Sequence, residues 1–281
     1  MHNKNRIIIS IVIVSFNVQT TIEDCLSSII TSDKRKVFEA ICIDNLSIDQ
    51  TTQIISKKFP QVRLIKNKKN IGFAAAVNQG AGIAKGECLL FLNPDTIVKP
   101  DCIKNMVNFL KEKKDAGVVG CRILNPNGSL QPSCGTFPTI INIILDRIPI
   151  LNKLFKTELI RQEGYYEKEQ SPDWTSGAFF MVRRDIFLSL GGFDEKYFLY
   201  VEDVDFSYRA KKAGYKIYYN PKAEIIHYDM GKSKERKNFK AKQIRIGFTI
   251  FFGKYKSLPY LFLWKMILTI ELILKPNLKV Q

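Results

Sequence analysis

Carboxylates stand directly after two apolar runs of the sequence, where strands would end. Asp44 follows residues 40–43, and Asp95 follows residues 88–92 after an Asn-Pro pair. At the end of a strand, Asp44 can accept hydrogen bonds from a base or a ribose. Asp95 can hold a divalent cation against a diphosphate, because Mg²⁺ and Mn²⁺ prefer oxygen ligands and often take one or two carboxylates beside phosphate. The alternative for both aspartates is a turn or a helix cap.

A group of acids lies in the second half of a chain that is otherwise basic. Between Gly192 and Asp205 there are five carboxylates and one base, Lys196. Crowded carboxylates raise one another's pKa. Aromatic neighbours such as Tyr197 and Tyr200 predict a partly buried cluster, in which one carboxylate can act as a general base. The alternative is a solvated acidic face.

Two further side chains have both a functional and a structural interpretation. His227 ends the apolar segment 224–226, and a neutral imidazole there can complete a metal shell, although lone histidines are more often structural. Trp174 precedes the predicted strand 177–182 and can present a flat face to a sugar ring. The alternative interpretation of Trp174 is that it packs in the hydrophobic core.

The elements that must position these residues alternate between strand and helix patterns. The predicted strands are 7–14, 40–43, 62–65 and 88–92, and the predicted helices are 22–30, 50–58 and 73–84. This alternation predicts an α/β fold with a mostly parallel sheet and right-handed crossovers. Ligands bind at the carboxyl ends of such strands. The polar residues there are Ser15, Asn17, Asp44, Asn45, Asn93 and Asp95.

The second half of the chain is less regular. Five prolines punctuate residues 124–173, which predicts an irregular excursion over the surface. Residues 202–213 read as a helix and 215–219 as an extended segment.

Charge and cysteines narrow the class of protein. The chain has 281 residues, 46% of them apolar, and a formal charge of +16. The excess charge favours a polyanionic partner: nucleic acid, an anionic membrane or a phosphorylated substrate. The six cysteines include no C-x-x-C pair, which argues against a zinc site and indicates a reducing compartment. The apolar run at residues 7–14 is too short for a membrane span and lacks a cleavage site, so export is not expected.

The last fifty residues differ from the rest. Residues 232–281 contain twelve Lys or Arg and two acids, and they follow a first domain, residues 1–231. This tail divides into a basic half, 232–256, and an apolar half, 258–274, which is shorter than the roughly 20 residues of a span. We expect a helical segment lying at a membrane interface. The alternative is packing on the first domain or on a second subunit.

Together these segments resemble family-2 glycosyltransferases of the GT-A fold, and within them the rhamnosyltransferase-like branch. The matching segments are, in order, 13–17, 43–45, 70–74 with Asn78 and Gly80, 92–95, 174–177, 191–195 and 198–205, followed by Arg209, Gly214 and His227. The resemblance covers residues 7–228. Two positions depart from the family pattern: Asn93 stands at the first position of the Asp-x-Asp metal motif, as is common in this branch, and Leu46 replaces a small residue.

The resemblance implies a role for each matching residue. Asp203 is the expected catalytic base, and Glu202 beside it places the acceptor. The expected nucleotide-sugar site consists of Ser15, Asn17, Asp44, Asn70, Gly72, Asn78 and Asn93. The expected acceptor site consists of Trp174, Ser176 and Gly177. Asp95 and His227 are the expected ligands of Mg²⁺ or Mn²⁺.

The implied reaction is inverting transfer of a sugar from a nucleotide-diphosphate donor to a saccharide or lipid-linked saccharide in cell-surface polysaccharide synthesis. Rhamnose is the first expectation for the sugar, and UDP-linked hexoses remain open. The expected location is cytoplasmic and peripheral, at the inner face of the plasma membrane. Two other classes are less favoured. A nucleotidyltransferase would need a glycine-rich, basic phosphate loop near the first strand, and a nucleic-acid-binding protein would need a recognition motif in the tail.

Overall fold

The first half of the chain alternates strands and helices, as its pattern predicts. The computed structural model describes residues 8–32, 38–147, 163–229 and 234–274. Within these ranges the strands are β1 (Ile9–Ser15), β2 (Phe38–Asp44), β3 (Arg63–Lys66), β4 (Cys88–Leu92), β5 (Thr96–Val98), β6 (Ala116–Leu124), β7 (Cys134–Gly135), β8 (Trp174–Thr175), β9 (Phe179–Arg183) and β10 (Lys216–His227). The helices are α1 (Ile22–Ser32), α2 (Thr51–Lys58), α3 (Phe73–Ile83), α4 (Cys102–Glu112), α5 (Ile140–Arg147), α6 (Arg184–Ser189), α7 (Glu202–Lys212), α8 (Lys234–Tyr255) and α9 (Leu258–Leu274), with a 3-10 helix at Glu163–Glu167.

Eight of these strands form one sheet in the order β3-β2-β1-β4-β9-β6-β10-β5. The strands β3, β2, β1 and β4 run parallel to one another, and β6 runs parallel to β10. Strand β9 lies antiparallel between β4 and β6, and β5 lies antiparallel at the edge beside β10. The prediction of an α/β fold with a mostly parallel sheet is confirmed. Because Ser15 pairs with Asp44, the polar residues after β1 and β2 meet at one edge.

The central strands are buried on both faces because helices cover both sides of the sheet. On β1, Ile9, Ile11 and Ile13 face the side covered by α1, α2 and α4, and Val12 and Val14 face the side covered by α3, α6 and α7. The second side contains a group of aromatic rings whose centroids lie 4.8 to 6.0 Å apart. Its members are Phe91, Phe180, Phe187, Phe193 and Phe206. Phe193 brings the Gly191–Gly192 turn onto this core. All six cysteines are buried and free.

Strand β10 extends eight residues beyond the predicted segment 215–219. The sequence Asn220-Pro221 breaks the strand pattern, and the prediction stopped there because proline cannot donate to a ladder. In the structure the register shifts between Asn220 and Glu224, so that an irregularity accommodates the proline and the pairing resumes. As a result His227 pairs with Thr96, next to Asp95.

The excursion over residues 124–173 is more ordered than the prolines indicate where the structure describes it. It contains β7, α5 and the 3-10 helix. Tyr166 is fully buried, and its hydroxyl accepts hydrogen bonds from the backbone N–H groups of Ser133 and Cys134.

The two tail helices pack on each other and on the first domain. Trp264 is fully buried, and Phe251, Phe252, Val201 and Val204 belong to the same hydrophobic cluster. The apolar half of the tail therefore buries one face against protein, as the alternative of packing on the first domain predicts. Glu271, which interrupts that half, forms a two-pronged ion pair with Arg245 of α8.

The opposite face of α9 is exposed and apolar. Its exposed side chains include Leu258, Phe262, Leu263, Met266 and Ile270. Among the described helices, none is long and apolar enough to cross a bilayer. Residues 232–233 and 275–281 of the tail lie outside the described residues.

Candidate functional site

At the carboxyl ends of β1 and β2, the carboxylate of Asp44 is buried and held by neighbouring donors. Its Oδ1 accepts hydrogen bonds from the hydroxyls of Ser15 (2.8 Å) and Ser47 (2.6 Å), and its Oδ2 accepts one from the backbone N–H of Ser47 (2.9 Å). Asn17 fixes the same loop, since its Oδ1 accepts a hydrogen bond from the backbone N–H of Ile48. The structure thus brings the predicted residues Ser15, Asn17 and Asp44 together in one rigid corner.

A second wall of this corner is the turn that begins α3. The Asn45 side chain donates to the carbonyl of Gly72 (3.0 Å), and the Oδ1 of Asn70 accepts a hydrogen bond from the Gly72 N–H (3.0 Å). Gly72 has a φ of +87°, and a Cβ there would lie 2.8 Å from the carbonyl oxygen of Phe198. Only glycine fits this position. The N–H of Phe73 donates to the same Phe198 oxygen, so that this wall contacts the segment before α7.

Asn78 has a structural contact that the sequence did not indicate. Its side chain exchanges two hydrogen bonds with the backbone of Phe193, at 2.8 and 2.9 Å, and it also donates to Glu195. Asn78 therefore holds the turn at Gly192. Its expected role in the nucleotide pocket stays a prediction.

At the end of β4, Asn93, Asp95 and His227 converge. The Nε2 of His227 lies 3.2 Å from Oδ1 of Asp95 and 3.3 Å from Nδ2 of Asn93. The Nδ1 of His227 lies 2.7 Å from Oε1 of Gln131. Because an amide oxygen only accepts hydrogen bonds, Nδ1 must carry a proton. In the neutral ring Nε2 is then unprotonated, and its lone pair is directed at Asp95 and Asn93.

These residues fit a divalent cation that shares its shell with a substrate. The lone pair of His227 and the carboxylate of Asp95 repel each other unless a proton or a cation lies between them. Their 3.2 Å separation is close to the spacing of about 3 Å between adjacent ligands of a six-coordinate ion with bonds of about 2.1 Å. Within the described residues, no group of three or more His, Cys, Asp or Glu can hold a metal. Mg²⁺ usually completes such a shell with phosphate oxygens and water.

The N-terminus of α7 presents two adjacent carboxyls with different surroundings. Both oxygens of Asp203 accept backbone hydrogen bonds, Oδ2 from Gly177 (2.8 Å) and Oδ1 from Val204 (2.8 Å). Glu202 is only 3% exposed, and its Oε2 has no hydrogen-bond partner within the described residues. A Cβ on Gly177 would lie 3.5 Å from Asp203 and 3.8 Å from Glu202, so Gly177 lies against both carboxyls.

Burial separates the two carboxyls into an acid and a base. Burial raises the pKa of Glu202 well above its usual value, and the charge of Asp203 raises it further. Burial also raises the pKa of Asp203, but the N–H groups of Gly177 and Val204 oppose this shift. Hydrogen bonds to the charged form favour it, so these two N–H groups favour ionisation of Asp203 over ionisation of Glu202. A carboxylate with a raised pKa is a stronger general base.

The segment before β9 connects this pair with the end of β4. The backbone N–H of Asn93 donates to the carbonyl of Ala178 (3.2 Å), and the N–H of Gly177, the residue before Ala178, donates to Asp203 (2.8 Å). Residues 177–178 therefore contact both Asp203 and the turn that carries Asn93 and Asp95.

The remaining acids of the predicted cluster form ion pairs and hydrogen bonds outside the Glu202–Asp203 pair. Asp205 is fully buried and accepts hydrogen bonds from Arg209, Tyr197, Lys254 and Tyr255. Asp194 pairs with Lys254, and Glu195 accepts a hydrogen bond from Asn78. The five acids are therefore divided between one catalytic candidate pair and three acids that fasten loops and the tail.

The three expected acceptor residues occupy different environments. The indole N–H of Trp174 donates to the carbonyl of Thr136 (2.8 Å), and its half-buried ring packs against the cluster shared with the tail. The N–H of Ser176 donates to the carbonyl of Ser133. Of the three, Gly177 contacts the Asp203 carboxylate directly.

Several residues of the site were not predicted from the sequence. They are Ser47, Gln131, Lys254 and Tyr255. Only Ser47 could have been found from the local sequence. A serine three residues after an aspartate is typical of a loop in which the aspartate side chain accepts the backbone N–H of that serine. Gln131 lies 96 residues before His227, and no local pattern connects them.

Comparison with known proteins identifies the family to which the chain is similar. Residues 10–191 match the model of the family described as glycosyl transferase family 2. The N-acetylglucosaminyl-diphospho-decaprenol L-rhamnosyltransferase of Mycobacterium tuberculosis is 32% identical over 234 residues, which cover 79% of this chain and 76% of that protein. The rhamnosyltransferase WbbL of Escherichia coli is 32% identical over 146 residues, which cover 52% and 53% of the two chains.

Solved structures confirm the fold. A mannosyltransferase from Pyrobaculum calidifontis in complex with GDP-Man and Mn²⁺ superposes with a TM-score of 0.63 at 18% identity, covering 90% of this chain and 66% of that one. GalNAc-T7 with UDP, GalNAc and Mn²⁺ gives a TM-score of 0.59 at 20% identity, covering 80% and 44%.

We expect Glu202→Gln to stabilise the protein at neutral pH. Below the pKa that Glu202 has in the unfolded chain, the folded and unfolded chains both hold the proton, and Glu202 lowers the free energy of unfolding little. As the pH rises, the unfolded chain releases the proton while the folded chain keeps it, so folding stability falls until the raised folded pKa is reached. Each unit of the shift corresponds to about 1.4 kcal/mol. Glutamine does not titrate, so thermal unfolding should show an advantage for the variant that grows from pH 4 to pH 8.

The control is Glu112→Gln, at an exposed position of α4. The assignment of a protonated Glu202 is contradicted if the difference in unfolding temperature between wild type and Glu202→Gln does not change with pH and equals the difference for Glu112→Gln.

Proposed function

This chain belongs to glycosyl transferase family 2 and is a glycosyltransferase, and we propose that it transfers a sugar with inversion from a nucleoside-diphosphate donor to a lipid-linked saccharide. The first choice of sugar is rhamnose. The observation that carries the proposal is the position of Asp203. Its carboxylate accepts the N–H of Gly177, while the adjoining Ala178 carbonyl accepts the N–H of Asn93, in the turn that carries Asp95 beside His227. This is the arrangement that deprotonation beside a leaving diphosphate requires.

In the proposed reaction Asp203 accepts the proton of an acceptor hydroxyl. The hydroxyl oxygen forms a bond to the anomeric carbon from the face opposite the nucleotide, and the bond from that carbon to the diphosphate oxygen breaks. The electron pair leaves with the nucleoside diphosphate, and the proton stays on Asp203 until solvent removes it. No covalent enzyme intermediate is formed. The N–H groups of Gly177 and Val204 hold the carboxylate in one orientation throughout.

Asp95 and His227 would hold Mg²⁺ or Mn²⁺, and Gln131 would keep the imidazole in the ligating tautomer. When bound, such an ion offsets the negative charge that develops on the departing diphosphate. Asn93, at the first position of the motif, would offer a neutral amide in place of a second carboxylate.

The corner of Ser15, Asn17 and Asp44 would receive the nucleoside. Three donors already occupy Asp44, which fixes the direction of its remaining lone pairs. The similarity to two rhamnosyltransferases supports a deoxyhexose donor, and the name of the mycobacterial relative supports a lipid diphosphate acceptor. The Trp174–Gly177 segment would contact that acceptor because Gly177 touches the base.

The exposed face of α9 supports peripheral attachment at the inner face of the plasma membrane. Phe262, Met266 and Ile270 form an apolar surface, and α8 beside it carries basic residues such as Lys237 and Lys240. Apolar side chains can enter the acyl boundary while Lys and Arg gain on the order of 1 kcal/mol each near an anionic leaflet.

We expect Asp203→Asn to lower the turnover number by a factor of about 10² or more, because the amide cannot accept the proton. Donor affinity should be unchanged, since Asp203 contacts protein backbone and the acceptor side. Asp101→Asn is the matched control, at an exposed position where asparagine tolerates the φ of +59°. Near-normal transfer by purified Asp203→Asn would show that another group is the base.

Chelation should abolish transfer, and Mg²⁺ or Mn²⁺ should restore it. His227→Asn and Asp95→Asn should raise the metal concentration that gives half-maximal activity, because each removes one of two protein ligands. Unchanged activity in excess EDTA would rule out the metal role.

The membrane proposal predicts that the protein sediments with anionic liposomes at low salt and is released by high salt. Phe262→Ser with Met266→Ser should weaken sedimentation, because both side chains lie on the exposed face of α9. The control is Ile48→Ser, which removes an exposed apolar side chain far along the chain from the tail. Equal sedimentation of both variants, or a wild-type protein that stays in the supernatant, contradicts the proposal.

A further inference from the structure

The turn that leads into the acid–base pair has an unfavourable backbone. Tyr200 and Val201 have φ values of +68° and +74°, and Val201 is the residue directly before α7. The left-handed region is unfavourable for residues with a Cβ, and for a β-branched residue it is a clear outlier. Two such residues in sequence persist only where the surroundings hold them. The positions of Glu202 and Asp203, which follow this turn, therefore depend on the residues that pack against the turn.

One side of the turn is held by the wall of the nucleotide corner. The carbonyl of Phe198 accepts a hydrogen bond from the N–H of Phe73 at 2.7 Å. Gly72 lies directly against Phe198. This contact belongs to the site already described and fixes the beginning of the turn.

The other side of the turn is held by the tail helix α8. A Cβ on Gly247 would lie 2.6 Å from Cγ2 and 2.8 Å from Cβ of Val201, and 3.2 Å from the carbonyl oxygen of Tyr200. The helix backbone thus lies directly on the two left-handed residues. Gly253 on the same helix differs, because the nearest atom to its Cβ would be Leu261 Cδ2 at 3.8 Å, an ordinary contact.

About two turns further along, α8 also fastens the first turn of α7. The Nζ of Lys254 donates to Asp205 and Asp194, and the hydroxyl of Tyr255 donates to Asp205 at 2.8 Å. Asp205 is fully buried and lies two residues after Asp203. A buried carboxylate depends on its charged and hydroxyl donors, so this contact ties the position of the α7 terminus to α8.

We propose that α8, which lies beyond the residues matched by the family model, is a positioning element of the catalytic site. Gly247 and Tyr255 act through Val201 and Asp205 to keep the Asp203 carboxylate in place for the acceptor hydroxyl. The inference rests on the proposed role of Asp203 as the base. It assigns the tail a part in turnover that is separate from any membrane contact, because the residues involved face the first domain and not the exposed face of α9.

Gly247→Ala tests this inference, with Gly253→Ala as the matched control. Both changes add one methyl group to the same helix, but only the first meets Val201. We expect Gly247→Ala to lower kcat at least tenfold with donor affinity within twofold of wild type, because a displacement of about 1 Å at a reacting group can cost 10²-fold. Gly253→Ala should retain wild-type kcat. Adding Val201→Gly to Gly247→Ala removes the colliding side chain and should recover most of the lost kcat.

Tyr255→Phe provides a second route if Gly247→Ala does not fold. It removes one hydroxyl from Asp205 and should lower kcat by a smaller factor, again without loss of donor affinity. Equal kcat for Gly247→Ala and Gly253→Ala, no recovery by Val201→Gly, or a parallel loss of donor affinity and kcat overturns the positioning role. If Asp203→Asn keeps its activity, the proposed base is wrong, and this result is distinguishable because it does not involve α8.

Discussion

The burial of two adjacent carboxyls at the start of α7 is the constraint on which the rest of the site depends. Two charges in such a place repel each other and lose hydration, so one carboxyl must stay protonated. The backbone N–H groups of Gly177 and Val204 decide which one, because both donate to Asp203 while one oxygen of Glu202 has no partner in the described part of the chain. The raised pKa of Asp203, which the proposed role of general base uses, follows from the same burial.

Several features elsewhere in the fold follow from this constraint. Gly177 must approach both carboxyls, and the left-handed residues Tyr200 and Val201 aim α7 at it. The next acid along, Asp205, is paired with Arg209 of the same helix and with Lys254 of α8, and its charge adds to the raised pKa of Glu202. The strongly basic tail therefore has an internal electrostatic role as well as an exposed surface.

Much of the sheet and the order of the site could be predicted from the sequence because local patterns encode them. The apolar runs before Asp44 and Asp95 mark strand ends, and strand ends of a parallel sheet meet at one edge. The contacts that decide protonation and orientation are not local. Gln131 on His227 and Lys254 on Asp205 join residues 96 and 49 positions apart. The irregularity after Asn220, which lets β10 continue so that His227 pairs beside Asp95, was also not predicted, because an Asn-Pro pair normally ends a strand.

The charge state of the pair can be measured directly by ¹³C NMR of the side-chain carboxyl carbons, with Asp203→Asn and Glu202→Gln used to assign the signals. At pH 7, Glu202 should show the shift of a protonated carboxyl and Asp203 that of a carboxylate. On lowering the pH, Asp203 should take up its proton at a pH above that of an ordinary aspartate. A spectrum in which Asp203 is protonated and Glu202 ionised at pH 7 would contradict the assignment of Asp203 as the base.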